Sequence, residues 1–117
     1  MKHHQYFVYI VTNEVKKVLY TGITNNLPQR IIEHYLNRDT QNSFAGKYKC
    51  HYLLYFETFK YVDKAIKREK EIKGWTRKRK VELIISANPE WRFLNTDILE
   101  EWPPKVGEAT MRGNLAE

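Results

Sequence analysis

Residues 6–24 leave the chain little freedom in local structure. Tyr6 to Thr12 and Val18 to Thr24 are short runs dense in aromatic and β-branched residues, and Asn13-Glu14-Val15-Lys16-Lys17 between them is mostly polar. Such runs fit a pleated, half-buried surface, and a five-residue connection suits a hairpin. A symmetric hairpin centred between residues 14 and 15 sets Tyr9 opposite Tyr20, Phe7 opposite Gly22 and Val11 opposite Val18. Opposed residues share a face with Cβ atoms about 5 Å apart, so register alone brings two phenols together. A slip of one residue would send them to opposite faces.

The remaining elements follow from caps and breakers. Asn25-Asn26 offers an N-cap and Pro28 suits a first turn, so a helix runs roughly from Leu27 to Asn37. Ile31, Ile32, Tyr35 and Leu36 supply its apolar stripe, and Arg30 and His34 share one face at i, i+4. Asp39 to Lys49 is polar and contains glycine, which predicts a loop. Tyr52 to Phe59 predicts a third strand, apolar on both faces and therefore covered by helices on both sides. Asp63 can cap a second helix from about Lys64 to Lys73, with Gly74 as a left-handed stop. Thr76 can cap a third, reaching about Ala87, before Asn88-Pro89 ends it. Thr96 to Trp102 suggests one short turn of helix. The fold class is α+β: a small three-stranded antiparallel sheet flanked by helices. One domain is expected over residues 1–92, with an extension over 93–117 that is largely flexible after Trp102.

Charge is unevenly spread. From Lys64 to Lys80 there are nine Lys/Arg against two Glu, a local net of +7, whereas the whole chain carries +6. A concentrated basic segment favours a polyanionic partner, although a solvated helix face gives the same pattern. Lys67, Arg68, Lys70, Lys73, Arg77, Lys78, Arg79 and Lys80 are the candidates for binding a nucleic-acid backbone. Phosphate contacts of this kind position a partner without reading its sequence. Trp75 and Trp91 could stack on bases, but packing at helix junctions is the commoner use of such residues. The lone Cys50 excludes an internal disulfide and fits a reducing compartment. The apolar run at the N-terminus ends by Val11, too short for a signal peptide, and nothing approaches a membrane span. A cytoplasmic, soluble and monomeric protein is expected.

Glu69 stands out in the second helix. With Ala65 and Ile72 it falls on the stripe that should face the body of the protein. A buried carboxylate needs a cation or strong donors. A salt bridge to a neighbouring lysine would supply them, and so would a divalent metal at the edge of a cleft.

The ordered set Phe7-Val8-Tyr9, Tyr20-Thr21-Gly22, Arg30-x-x-x-His34 and Ala65-x-x-x-Glu69-x-x-Ile72-Lys73 resembles the GIY-YIG nuclease family. With the Lys/Arg-rich helix and Asn88-Pro89-Glu90-Trp91, it is most similar to the small single-domain bacterial members. The resemblance spans about Tyr6 to Trp91 and implies the three-stranded fold read independently above. It further implies that Tyr9 takes the proton from an attacking water, or orients that water, and that Tyr20 orients the scissile phosphate. Arg30 would clamp a phosphate, a task its planar, always-charged fork suits. His34 would hydrogen-bond Tyr9, and Glu69 would hold one Mg²⁺ or Mn²⁺ together with waters and the phosphate itself. Gly22, Lys47 and Asn88 complete the candidate set. A phenol is a poor base at neutral pH unless cations lower its pKa; Arg30, the metal, Lys16, Lys17 and Lys47 are available for that. Two positions depart from the family pattern, Phe7 in place of the first glycine and Thr21 in place of the second motif's isoleucine.

The resulting expectation is a metal-dependent endonuclease acting on DNA, weakly sequence-specific and structure-selective in repair or recombination. The alternative is a non-catalytic module of the same fold that binds DNA or RNA. A membrane or acidic-protein dock ranks last, because the basic helices have no bulky apolar face beyond what the core needs.

Overall fold

Three strands make the sheet: β1 (Tyr6–Thr12), β2 (Leu19–Thr24) and β3 (Tyr52–Phe59), in the order β2-β1-β3 and antiparallel throughout. The structure, a computed structural model, describes residues 5–105. The expected flexibility of the C-terminal extension falls mainly on residues 106–117, outside the described residues. Five helices surround the sheet among the described residues: α1 (Leu27–Leu36), α2 (Phe44–Lys47), α3 (Val62–Lys73), α4 (Arg77–Ala87) and α5 (Asn95–Ile98).

β1 is the central strand and is packed on both faces. Tyr9 and Val11 point to one side, into a cluster with Leu27 and Ile31 of α1, Ala45 of α2, Cys50 and Leu53. Val8 and Ile10 point to the other, against Leu54, Tyr55, Ala65 and Ile72 of α3, and Ile84 of α4. The doubly apolar β3 thus has the two-sided cover its composition required. Trp75 and Trp91 are both packed against the second cluster, so the core use of these tryptophans is the one observed.

The hairpin register differs from the symmetric one. Tyr9 pairs with Gly22, Phe7 with Thr24 and Val11 with Tyr20. The cause lies in the turn. The Asn13 side-chain oxygen accepts from the Lys17 and Val18 N–H groups, and the Thr12 hydroxyl donates to the Val18 carbonyl. Lys16 adopts φ 60° and its N–H donates to the Asn13 carbonyl. Val18 is consumed by the turn rather than by the ladder, and every pairing moves by two. An even shift preserves faces, so Tyr9 and Tyr20 remain on one side of the sheet as diagonal neighbours.

β3 carries a bulge. Ile10 pairs with Tyr55 and Val11 with Leu53, leaving Leu54 as the extra residue. Two buried asparagines serve the outer side of this strand. The Asn88 amide donates to the Leu54 carbonyl at 3.0 Å and to the Arg92 carbonyl at 2.8 Å, and accepts from the Arg92 N–H at 3.0 Å. Asn95 accepts from the Leu53 N–H at 2.8 Å and donates to the His51 carbonyl at 2.9 Å. The Leu94 N–H closes the seam on the Leu53 carbonyl.

Most helix ends follow their caps, and the last short helix, α5, spans Asn95–Ile98 rather than Thr96 to Trp102. Asn26 caps α1 by accepting from the Gln29 N–H, and Thr76 caps α4 by accepting from the Arg79 N–H. α3 begins at Val62, so Asp63 lies inside the first turn, where its charge complements the helix dipole. Gly74 ends α3 at φ −83°, in the right-handed region, so its lack of a Cβ is not what stops the helix. α2 occupies the segment expected as a loop. Ser43 caps it, and the Cys50 N–H ties it down through the Ala45 carbonyl.

Asn95→Ala strips a donor and an acceptor from two buried backbone groups. Urea unfolding should show a loss of about 2–4 kcal/mol, since each orphaned group costs roughly 1–3 kcal/mol. An unchanged midpoint would mean that Asn95 does not hold this seam.

Candidate active site

α1 leaves β2 immediately after Thr24, and its Asn26 cap sets the helix phase. That phase turns Arg30 and His34 toward β1. His34 Nε2 lies 2.8 Å from the Tyr9 hydroxyl, and Arg30 Nε donates to the same oxygen at 3.3 Å. Arg30 is also paired with Glu33, Nη1 to Oε1 at 3.0 Å. Gly22 makes this possible from the other side. A Cβ built at Gly22 would overlap the Tyr9 phenol, reaching 2.9 Å even from the ring carbon Cε2. Only glycine leaves room for the ring to lie across β2.

A guanidinium N–H can only donate, so the Tyr9 oxygen accepts from Arg30. The Tyr9 hydroxyl is buried, and its hydrogen is satisfied when it is assigned to His34 Nε2. In that tautomer the ring proton of the neutral His34 is on Nδ1. Burial raises the Tyr9 pKa from 10.0 to about 12, against the lowering effect of Arg30. Burial and then the Arg30 charge lower His34 from 6.5 to about 4. At neutral pH the pair is thus a neutral phenol donating to a neutral imidazole.

Tyr20 joins through His34 rather than by direct opposition to Tyr9. The His34 ring centroid is 5.7 Å from both the Tyr9 and the Tyr20 centroids, with edge-on geometry in each case. Phe44 of α2 stacks on the other side of Tyr20 at 6.1 Å. A pocket of about 290 Å³ opens here between α1 and the segment leading into α2. Tyr20, Arg30 and His34 face it, together with Asn37, Asn42 and Ser43. Tyr9 lies behind them and is 1% exposed.

Glu69 approaches from the other face of the sheet. Its side chain is 13% exposed and sits 2.7 Å from the Lys73 ammonium. That same ammonium lies 5.7 Å from the Tyr20 ring centroid. Lys73 therefore links the helical carboxylate to the tyrosine cluster at β2, the edge strand. Among the described residues no group of three His, Cys, Asp or Glu side chains converges. A divalent ion at Glu69 would take one protein carboxylate and complete its shell with waters and phosphate oxygens. Mg²⁺ accepts that donor set readily, so the residues present fit such an ion.

The basic candidates divide. Lys67, Lys70, Lys78 and Arg79 are exposed, and Lys80 is half-buried. Arg77 reaches the Lys16 carbonyl at 3.4 Å. Arg68 has a different task from the one expected of it. It holds Glu57 with two bonds of 2.9 Å, and its guanidinium lies 5.1 Å from the Trp75 ring centroid. A bidentate, half-buried pair removes that fork from the backbone-binding set. Arg79 packs on Trp75 as well, at 4.1 Å. Lys47 is exposed over Tyr48 at 5.5 Å. Asn88 is not at the tyrosine cluster; its amide is spent on backbone groups beside β3. The Thr21 hydroxyl is buried and has no hydrogen-bond partner among the described residues. Glu33 and Phe44 went unremarked in the sequence. The Arg30-to-Glu33 spacing of three was a readable signal for the first; nothing local announces the second.

A model of the GIY-YIG catalytic domain matches residues 5–82. UPF0213 proteins of Staphylococcus aureus strains Mu50 and COL are each 35% identical over 79 residues, covering 68% of this chain and 93% of theirs. The solution NMR structure of a UPF0213 protein from Bacillus halodurans is similar at a TM-score of 0.48 with 23% identity, covering 74% of this chain and 89% of that one.

His34 and His51 are both held near pKa 4, chiefly by burial. Their ordinary value is about 6.5, so between these limits the unfolded chain binds more protons and stability rises with pH. Thermal melts should therefore show a falling Tm as pH drops from about 6.5 to 4. His34→Gln should flatten part of that slope; an identical slope would contradict a neutral buried His34.

Proposed function

This chain belongs to the GIY-YIG catalytic domain family, and from that premise we propose that it is a metal-dependent endonuclease hydrolysing phosphodiester bonds of DNA. The observation that carries the proposal is the donor chain from Arg30 through Tyr9 to His34, set directly behind a pocket that Arg30 and His34 themselves line.

A phenol at about 12 cannot act by ionising first. It can pass a proton on. The Arg30 side chain, whose guanidinium covers the Tyr9 oxygen, is 36% exposed and held by a 3.3 Å bond and one carboxylate. A phosphate in the pocket competes for it with a bidentate, charge-assisted pair. Once Arg30 turns to the phosphate, the Tyr9 oxygen is free to accept from a water. As that water attacks phosphorus its proton moves to Tyr9 and the Tyr9 proton moves to His34 Nε2, whose proton affinity rises once the Arg30 charge that lowers it has turned away to the phosphate. The P–O bond to the departing sugar oxygen breaks, and that oxygen takes its proton from solvent. Arg30 and Tyr20 then hold the phosphate while negative charge builds on it. Glu69 is the residue to hold Mg²⁺ or Mn²⁺, which when bound supplies Lewis-acid stabilisation of the phosphate. The exposed Lys67, Lys70, Lys78 and Arg79, with Arg77, Lys80 and Lys47, supply non-specific backbone attraction. Selectivity is therefore weak for sequence and rests on DNA structure, as suits repair or recombination.

One observation favours the second reading, a binding module without turnover. Tyr9 is almost fully covered, and both Arg30 and Lys73 already have internal carboxylate partners. A plasmid-nicking assay with Mg²⁺ or Mn²⁺ separates the two. Metal-dependent nicking is expected, with Tyr9→Phe slower by about 100-fold or more, the usual scale of a lost proton transfer. Glu69→Ala should abolish it. Equal cleavage by wild type and Glu69→Ala would remove the assigned catalysis, and salt-sensitive binding without nicking would establish the binding module.

A further inference from the structure

Lys73 is more than one backbone cation among several. It stands in the last turn of α3, with Glu69 one turn before it, the favourable order for such a pair. The Glu69 side chain is 13% exposed and the Lys73 side chain 49%. Glu69 is therefore the fixed member of the pair and Lys73 the movable one. The ammonium already lies near the Tyr20 ring, so it can leave Glu69 without leaving the site. A divalent ion on Glu69 would bring two further positive charges against this one. Like charges at contact distance repel strongly, and more so beside a half-buried carboxylate.

We propose that Lys73 is an exchangeable counter-ion of the metal carboxylate: it neutralises Glu69 in the metal-free protein and, when a divalent ion takes its place, turns to the phosphate held at Tyr20. The proposal rests on the assignment of Glu69 as the metal-holding residue. It gives one side chain two sequential partners. In the metal-free protein, Lys73 also keeps an uncompensated carboxylate from repelling the incoming backbone. Arg30 is arranged alike, parked on Glu33 until a phosphate arrives, so both cations of the site start on internal carboxylates. Positive charge is thereby kept at the pocket without being spent there, and the metal and the substrate each release one of the two cations.

The test is a Mn²⁺ titration of the full chain without DNA, followed by NMR broadening of α3 amides, alongside DNA binding measured in EDTA at low salt. Wild type is compared with Lys73→Met, Lys73→Gln, Glu69→Gln and Lys64→Met. The last removes the same charge from an exposed position at the start of α3. Both Lys73 variants should bind Mn²⁺ roughly tenfold more tightly than wild type, the scale expected for removing one charge beside a divalent ion. They should also bind DNA severalfold more weakly in EDTA, while Lys64→Met keeps the wild-type Mn²⁺ affinity. If Glu69→Gln abolishes the broadening but the Lys73 variants match Lys64→Met, the counter-ion proposal is overturned and the assignment of Glu69 stands. If Glu69→Gln broadens like wild type, the assignment of Glu69 fails and the proposal falls with it.

Discussion

The absence of one side chain carries the rest of the site. β1 is buried on both faces, so the Tyr9 ring cannot swing out of the sheet and must lie over whatever β2 places opposite. Gly22 stands there, and the phenol occupies the volume that any Cβ would take. From that position the hydroxyl meets α1 at the level of His34 and Arg30. The glycine's role is steric rather than conformational: its backbone is ordinary strand, and no glycine among the described residues has positive φ. What Gly22 contributes is reach, delivering a β-strand phenol to a helix on the neighbouring strand's side.

That contact is electrically quiet at neutral pH. A neutral phenol faces a neutral imidazole, and each cation nearby is matched by a carboxylate of its own helix, Arg30 by Glu33 and Lys73 by Glu69. The pair of Arg30 with Glu33 is exposed enough to add little to stability, and Lys73 is the exposed member of the other. Their weight lies in keeping long side chains in place without burying a net charge. A polyanion can displace such pairings at modest cost, whereas the buried hydrogen bond from Tyr9 to His34 is shielded from competition by its depth. The site thus combines one rigid contact with two loose ones.

Much of this was legible in the chain, for identifiable reasons. Strands and long helices announced themselves because alternation, caps and breakers are local. The sharing of a face by Tyr9 and Tyr20 survived an error of two in register, since strand periodicity is two. The error itself came from Asn13, whose side chain draws Val18 into the turn, an effect invisible to pattern. α2 was missed because four residues are too few for a period. The inward turn of Arg68 was not legible because its partner Glu57 lies on β3 rather than on its own helix, and nothing in a run of basic residues tells which one turns inward. Glu33, by contrast, was within reach of a simple spacing rule. Tertiary partners are what the pattern could not supply.

The two asparagines beside β3 bear on where such a domain can be cut. The match to the catalytic domain family ends at residue 82, before Asn88 and Asn95. A fragment trimmed to that boundary would keep every residue of the tyrosine cluster and Glu69. It would also lose the chain that caps the Leu53 and Leu54 backbone, leaving an apolar strand edge open to its own copies. Such a fragment would fail by self-association rather than by damaged chemistry. The boundary of the family match and the boundary that keeps the β3 edge covered are different places in this chain.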